Sequence, residues 1–276
     1  MRLVEELCLP KGNNLRPNED GVFFNNHYAA VVDGCSSAQP LPFTDRRSGA
    51  IARDLLVIAL KGLDPKATCQ EAFAALNEAI VRWYKKEKSV TYFHERPHRR
   101  PSAYVAIASA YRREVWVLGD CQALVNGVLY THHKRIDTLM EDLRALFIEA
   151  ALVNGVSIDE LLENPQIIND QLRPIMANQP LFQNAEDGSS YAYQVLDGFF
   201  VDYESVQCIP LGDEPTEVVL ATDGYPVLAP SLQESESELA ILLLEDPLCY
   251  KTIRSTKGVE GTNNSYDDRS YLRLIV

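Results

Sequence analysis

Five points in the chain carry carboxylates at the ends or entries of apolar runs: Asp20, Asp33, Asp120, Asp223 and the pair Asp267-Asp268. The runs at residues 28–32 and 218–221, which lead into Asp33 and Asp223, read as strands buried on both faces. A carboxylate closing such a strand needs a partner. Gathered at one edge of a sheet assembly, these acids repel one another unless a cation lies among them, and an all-oxygen ligand set suits Mg or Mn. Two such ions ~3.5 to 4 Å apart clamp a phosphoryl group and activate a water between them.

The elements that must position these acids follow from the local pattern. Residues 22–24 and 28–32 flank Asn25-Asn26, a pair that tolerates the left-handed backbone of a tight hairpin. The hairpin puts Asp20 at the start of one strand and Asp33 just past the end of the next. Asp-Gly is first of all a turn dipeptide, and it occurs at 20, 33, 187, 197 and 223. Asp197-Gly198, between apolar residues 191–196 and 199–201, reads as a plain two-residue hairpin turn. Thr44-Asp45 caps a helix over residues 46–60, and Thr68-Cys69-Gln70-Glu71 is a capping box for a second whose stripe is Phe73, Leu76, Ile80 and Trp83.

A meander of strands follows from residue 103 to 130, with Asn126-Gly127 as its strongest turn signal. Thr138-Leu139-Met140-Glu141 is a further capping box, Asn154-Gly155 a helix stop and Ser157 another helix start. Strands are expected again at 191–201 and 218–221, a helix at 235–245 and a last strand at 271–276. Strands, two helices, many strands, helices and a strand make an α+β layered domain rather than alternating βαβ units.

Composition narrows the function. An apolar fraction of 46% over 276 residues suffices for one large domain with a substantial core. A formal charge of -13 argues against nucleic acid as a partner, because that binding rests on neutralising phosphates with Lys and Arg. No stretch reaches the ~18 to 20 apolar residues of a membrane span. The amino terminus has glutamates where a signal peptide is apolar, so a cytoplasmic location is expected. Six scattered cysteines without a Cys-x-x-Cys pair indicate neither a zinc ribbon nor a disulfide framework. His94 and His98 have zinc-pair spacing, but Pro97 opposes a helix holding them. Residues 82–100 hold seven Lys or Arg against two Glu, which reads either as a solvated helix end or as a docking patch for an anionic substrate.

Taken together, Asn18-Glu19-Asp20, Val31-Val32-Asp33-Gly34, Leu118-Gly119-Asp120, Ala221-Thr222-Asp223-Gly224 and Asp267-Asp268-Arg269-Ser270 resemble, in order and spacing, the motifs of the metal-dependent type 2C (PPM-type) serine/threonine protein phosphatases, bacterial members in particular. The resemblance implies a four-layer α-β-β-α sandwich of two antiparallel sheets flanked by helices, formed by a single domain over residues 1–276. It implies a flap-like insertion at about 139–188. It also implies two Mn or Mg ions, with Asp33 bridging both, the Gly34 carbonyl binding one, and Asp223 and Asp267 holding the other. Asp20 would act through an intervening water, and Asp120 would lie near a weak third ion. Arg16 resembles the phosphate-binding arginine, four residues before Asp20 where five is usual.

Three further departures bear on mechanism. Cys35-Ser36-Ser37 follows Asp33-Gly34 and provides no histidine as general acid, so water must protonate the leaving group. Asp268 replaces the more usual Asn. Val227 stands where many members have a second acid. Cys35 has no evident base beside it to make it a nucleophile. The implied activity is hydrolysis of phosphoserine and phosphothreonine in a phosphorylated protein substrate. The competing expectation is a phosphatase-like signalling or binding module that has lost catalysis. A haloacid-dehalogenase-type enzyme is disfavoured, because Asp33-Gly34-Cys35 lacks the second acid of Asp-x-Asp.

Overall fold

The computed structural model describes residues 1–12, 18–37, 40–186 and 188–276. In chain order the strands and helices are β1 (Arg2–Leu9), β2 (Asp20–Phe24), β3 (Tyr28–Cys35), α1 (Ser48–Lys61), α2 (Cys69–Lys86), α3 (Val90–His94), β4 (Ser102–Ser109), β5 (Glu114–Leu118), β6 (Gln122–Val125), β7 (Val128–Tyr130), α4 (Arg135–Val153), α5 (Ile158–Glu163), α6 (Gln166–Met176), β8 (Gln207–Pro210), β9 (Glu217–Ala221), α7 (Leu232–Glu245) and β10 (Arg269–Ile275). They form two five-stranded antiparallel sheets, in the orders β1-β10-β9-β6-β7 and β2-β3-β4-β5-β8.

The period of two along each strand sends alternate side chains into different layers. Along β3, Ala29 and Val31 join Ala106, Val117, Leu220 and Leu272 in the core between the sheets, while Tyr28, Ala30 and Val32 face α1 and α2. Ile51, Leu56, Phe73, Leu76 and Ile80 of those helices complete that outer core. On the far side α7 lays Leu239 and Leu242 against Val219 and Tyr271. The result is the expected helix, sheet, sheet, helix stacking. α4, α5 and α6 share a smaller cluster of Ile148, Leu161, Ile168 and Leu172 with Leu248.

Several elements differ from the sequence expectation. β1 lacks a strong apolar alternation because it is an edge strand, and β8 is an edge strand of four residues. Helix α1 starts at Ser48 after the extended Arg47, not at residue 46 behind a Thr44-Asp45 cap. Thr138 lies inside α4, which begins at Arg135 after the buried Lys134. Residues 191–201 form no strand and only two isolated bridges, and Asp197-Gly198 is not a hairpin turn. The Asp197 carboxylate is fully buried and accepts from Arg100 Nη1 at 2.9 Å, Gln183 Nε2 at 2.8 Å and the Phe199 amide at 2.9 Å. Those bonds hold the segment in an irregular path. The Asp187-Gly188 turn expected from sequence falls partly outside the described residues.

Candidate metal centre

The hairpin of β2 and β3 pairs Asp20 directly with Asp33, and β3 runs on through Gly34 to Cys35. Gly34 lies back to back with Gly49 in the first turn of α1. A Cβ on either would overlap the other's carbonyl oxygen, so both positions require glycine. This close approach ties the carboxylate-bearing end of β3 to the helix layer. Asp120 follows Gly119, whose φ of +78° and contact with the Tyr104 ring exclude any side chain. Asp223 lies two residues past the end of β9, and Asp267 and Asp268 precede β10.

These elements bring a carboxylate oxygen from each of Asp33, Asp120 and Asp223 within 4.8 Å of one another. Burial and the carboxylates of Asp223, Asp20 and Asp120 push the Asp33 carboxyl well above the usual range. Burial in the first place, with Asp267 and Asp120 adding to it, raises Asp223 to about 7. Asp120 Oδ1 is buried and has no hydrogen-bond partner among the described residues. Oxygen donors alone, mutual repulsion and an orphaned oxygen fit a hard divalent ion held by these three residues.

Asp20 and Asp267 sit differently. Asp20 is buried, and its Oδ2 accepts from Thr222 Oγ1 at 2.6 Å, while Thr222 Oγ1 accepts from the Ser270 amide at 2.9 Å. Burial holds its carboxyl well above the usual range despite the threonine bond. Asp267 Oδ1 faces Lys11 Nζ at 2.8 Å and Oδ2 pairs with Lys257 Nζ. Burial would raise this carboxyl, but Lys257 and Lys11 outweigh burial and lower it. Both oxygens of Asp267 are thus turned to ammonium groups.

Asp268 is a clamp: Oδ1 accepts the Lys11 amide at 2.9 Å and Oδ2 the Glu19 amide at 2.8 Å. The aspartate in place of asparagine thus has a structural use, since an asparagine NH₂ would face one of those donors. Arg16 lies outside the described residues. Burial, followed by the charge of Asp33, pushes the Cys35 thiol well up, which suits a packed thiol and not a nucleophile.

Lys257, Lys134 and Thr222 are the residues of this centre that sequence reasoning missed. Lys257 lies in an irregular stretch without periodicity. Lys134 precedes α4 and bonds Asp120 Oδ2 at 2.7 Å, Asp137 Oδ2 at 2.9 Å and Tyr104 OH at 3.0 Å. Thr222 was legible only as part of the Asp-Gly motif. In the basic segment, Arg100 is a scaffold residue: its guanidinium pairs with Asp197 and lies 3.6 Å from the Phe199 ring centre. It is therefore withdrawn from any docking patch.

Among solved structures, this chain superposes over 99% of its length on 99% of the catalytic domain of the serine/threonine protein phosphatase PstP in complex with two manganese ions, with a TM-score of 0.50 and 14% identity. The chain has the fold of PPM-type serine/threonine phosphatases. The PPM-type Mycobacterium tuberculosis phosphatase PstP/Ppp matches with a TM-score of 0.47 and 16% identity over 99% of this chain and 98% of that one. Staphylococcus aureus Stp1 matches at 0.48 and 13% over 100% and 96%. No family model matches the chain, and no curated protein matches it. Among the described residues no helix is long and apolar enough to cross a membrane.

Proposed function

We propose that this chain is a metal-dependent phosphomonoester hydrolase that removes phosphate from phosphoserine and phosphothreonine of proteins in the cytoplasm. The observation carrying this reading is the convergence of Asp33, Asp120 and Asp223, with one buried oxygen left orphaned, on a PPM-type scaffold. Those three residues would hold a Mn or Mg ion, with the Gly34 carbonyl as a further donor on the same strand. A divalent ion bound there supplies Lewis acidity toward water and the phosphoryl oxygens.

The remaining steps belong to the chain's own residues. Arg16 binds the phosphate through the planar fork of its guanidinium, which matches two oxygens at once. Asp20, fixed by Thr222, orients water at the mouth of the hairpin. No histidine follows Gly34, so water protonates the departing serine or threonine oxygen. Residues 139–188 act as the flap that borders the site within the single domain.

The competing reading, a phosphatase-like binding module, draws on the lysines that occupy Asp267. Hydrolysis of an aryl phosphate and of a phosphothreonine peptide, measured after chelation and again with Mn, separates the two. Mn-restored turnover supports the enzyme. No turnover of either substrate at any Mn concentration leaves the binding module.

A further inference from the structure

We propose that this protein builds one cation of its centre from its own side chains: Lys257, assisted by Lys11, supplies at Asp267 the positive charge of a second divalent ion, so that only one such ion binds tightly, on Asp33, Asp120 and Asp223. The inference rests on reading the acidic cluster as a metal centre, and it concerns what that centre lacks room for.

The geometry is asymmetric. Asp267 is nearly covered, with a side chain only 8% exposed, and each of its oxygens meets a different ammonium group. Asp120 is half engaged, with Oδ2 on Lys134 and Oδ1 left over. Asp33 and Asp223 make no direct contact with a lysine among the described residues, so their oxygens are the ones left open to a divalent ion. A second ion at Asp267 would have to displace an ammonium or sit beside it. At such close range a divalent ion and a fixed ammonium repel strongly even when the surroundings screen them in part.

Lys257 is suited to this part. Its side chain is 47% exposed while its Nζ reaches Asp267, so the charge is delivered from the surface of the fold. Lys134 repeats the device on the other flank, where Asp137 and the Tyr104 hydroxyl hold its ammonium against Asp120. Asp120 is thereby left with only Oδ1 to offer an ion.

The test counts ions without asking for turnover. The metal-stripped full chain is titrated with MnCl₂ by calorimetry and native mass spectrometry, and the saturated protein is examined by electron paramagnetic resonance for a spin-coupled Mn pair. The wild type should take one Mn and show no coupled pair. Lys11→Met/Lys257→Met, checked by circular dichroism, should take two, the second at least about tenfold more tightly than any second ion in the wild type. Two Mn of similar affinity in the wild type would overturn the proposal, and that result needs no variant. A folded double variant still limited to one Mn would overturn it too. A protein that binds one ion yet hydrolyses nothing would refute the phosphatase reading and leave this inference standing.

Discussion

Asp20 and Asp33 face each other across neighbouring strands as direct register partners, an arrangement in which like charges destabilise a sheet. Both carboxyls are held well above their ordinary range, chiefly by burial, and Asp223 is raised to about 7. A carboxyl raised in the folded state contributes stability that is complete below its unfolded value of 3.8 and is lost as pH rises through the folded value. The melting temperature of metal-free protein should therefore fall between pH 4 and about 7, and saturating Mn should raise it most at the upper end. Asp267 has the opposite sign, contributing stability above the ordinary carboxylate range that is lost only in stronger acid. Melting curves across this window, with and without Mn, check the sign. A metal-free protein that grows more stable toward pH 7 would contradict it.

Asp33→Asn should abolish Mn-dependent hydrolysis of an aryl phosphate. It should also raise the metal-free melting temperature at neutral pH by ~2 to 4 °C, by removing a carboxyl whose ionisation burial and the neighbouring acids oppose. Loss of activity with a lowered melting temperature would mean that Asp33 supports the fold more than the centre.

Arg16→Ala should raise KM for a small aryl phosphate and leave the Mn affinity nearly unchanged. Arg16→Lys should recover little, because an ammonium cannot copy the paired bonds of a guanidinium. An unmoved KM in the alanine variant would transfer phosphate binding to Lys11 or another cation.

Asp268→Asn should cost about 1 to 3 kcal/mol, since one of the amides of Lys11 and Glu19 would lose its acceptor and meet a donor. Denaturant unfolding measures this. An unchanged midpoint would show that the clamp is dispensable.

The part of the site that could be read from residue types was the part built on strand ends. Asn25-Asn26 marked the hairpin, and the Asp-Gly pairs after buried runs marked Asp33 and Asp223, because a carboxylate there breaks a strong local pattern. Lys257 and Lys134 break no pattern. A lysine in an irregular stretch looks solvated until the fold turns its tip inward. Residues 191–201 failed in the reverse direction: their apolar alternation suggests strands, but the buried Asp197 gathers donors from Arg100, Gln183 and Phe199 and holds the backbone out of a ladder. The same long-range pairing removes Arg100 from the basic surface, which no local count of charges could reveal.

The pairing of β1 with β10, and the hold of Asp268 on Lys11 and Glu19, have a consequence for the order of events during synthesis. The hairpin bearing Asp20 and Asp33 leaves the ribosome well before Asp223 and Asp267 are made. Contacts so distant along the chain close late, and in a nascent chain β1 must wait for β10, its partner in the sheet. A nascent chain that stops short of residue 268 therefore has its early acids in place but lacks the clamp that ties Lys11 and Glu19 to them.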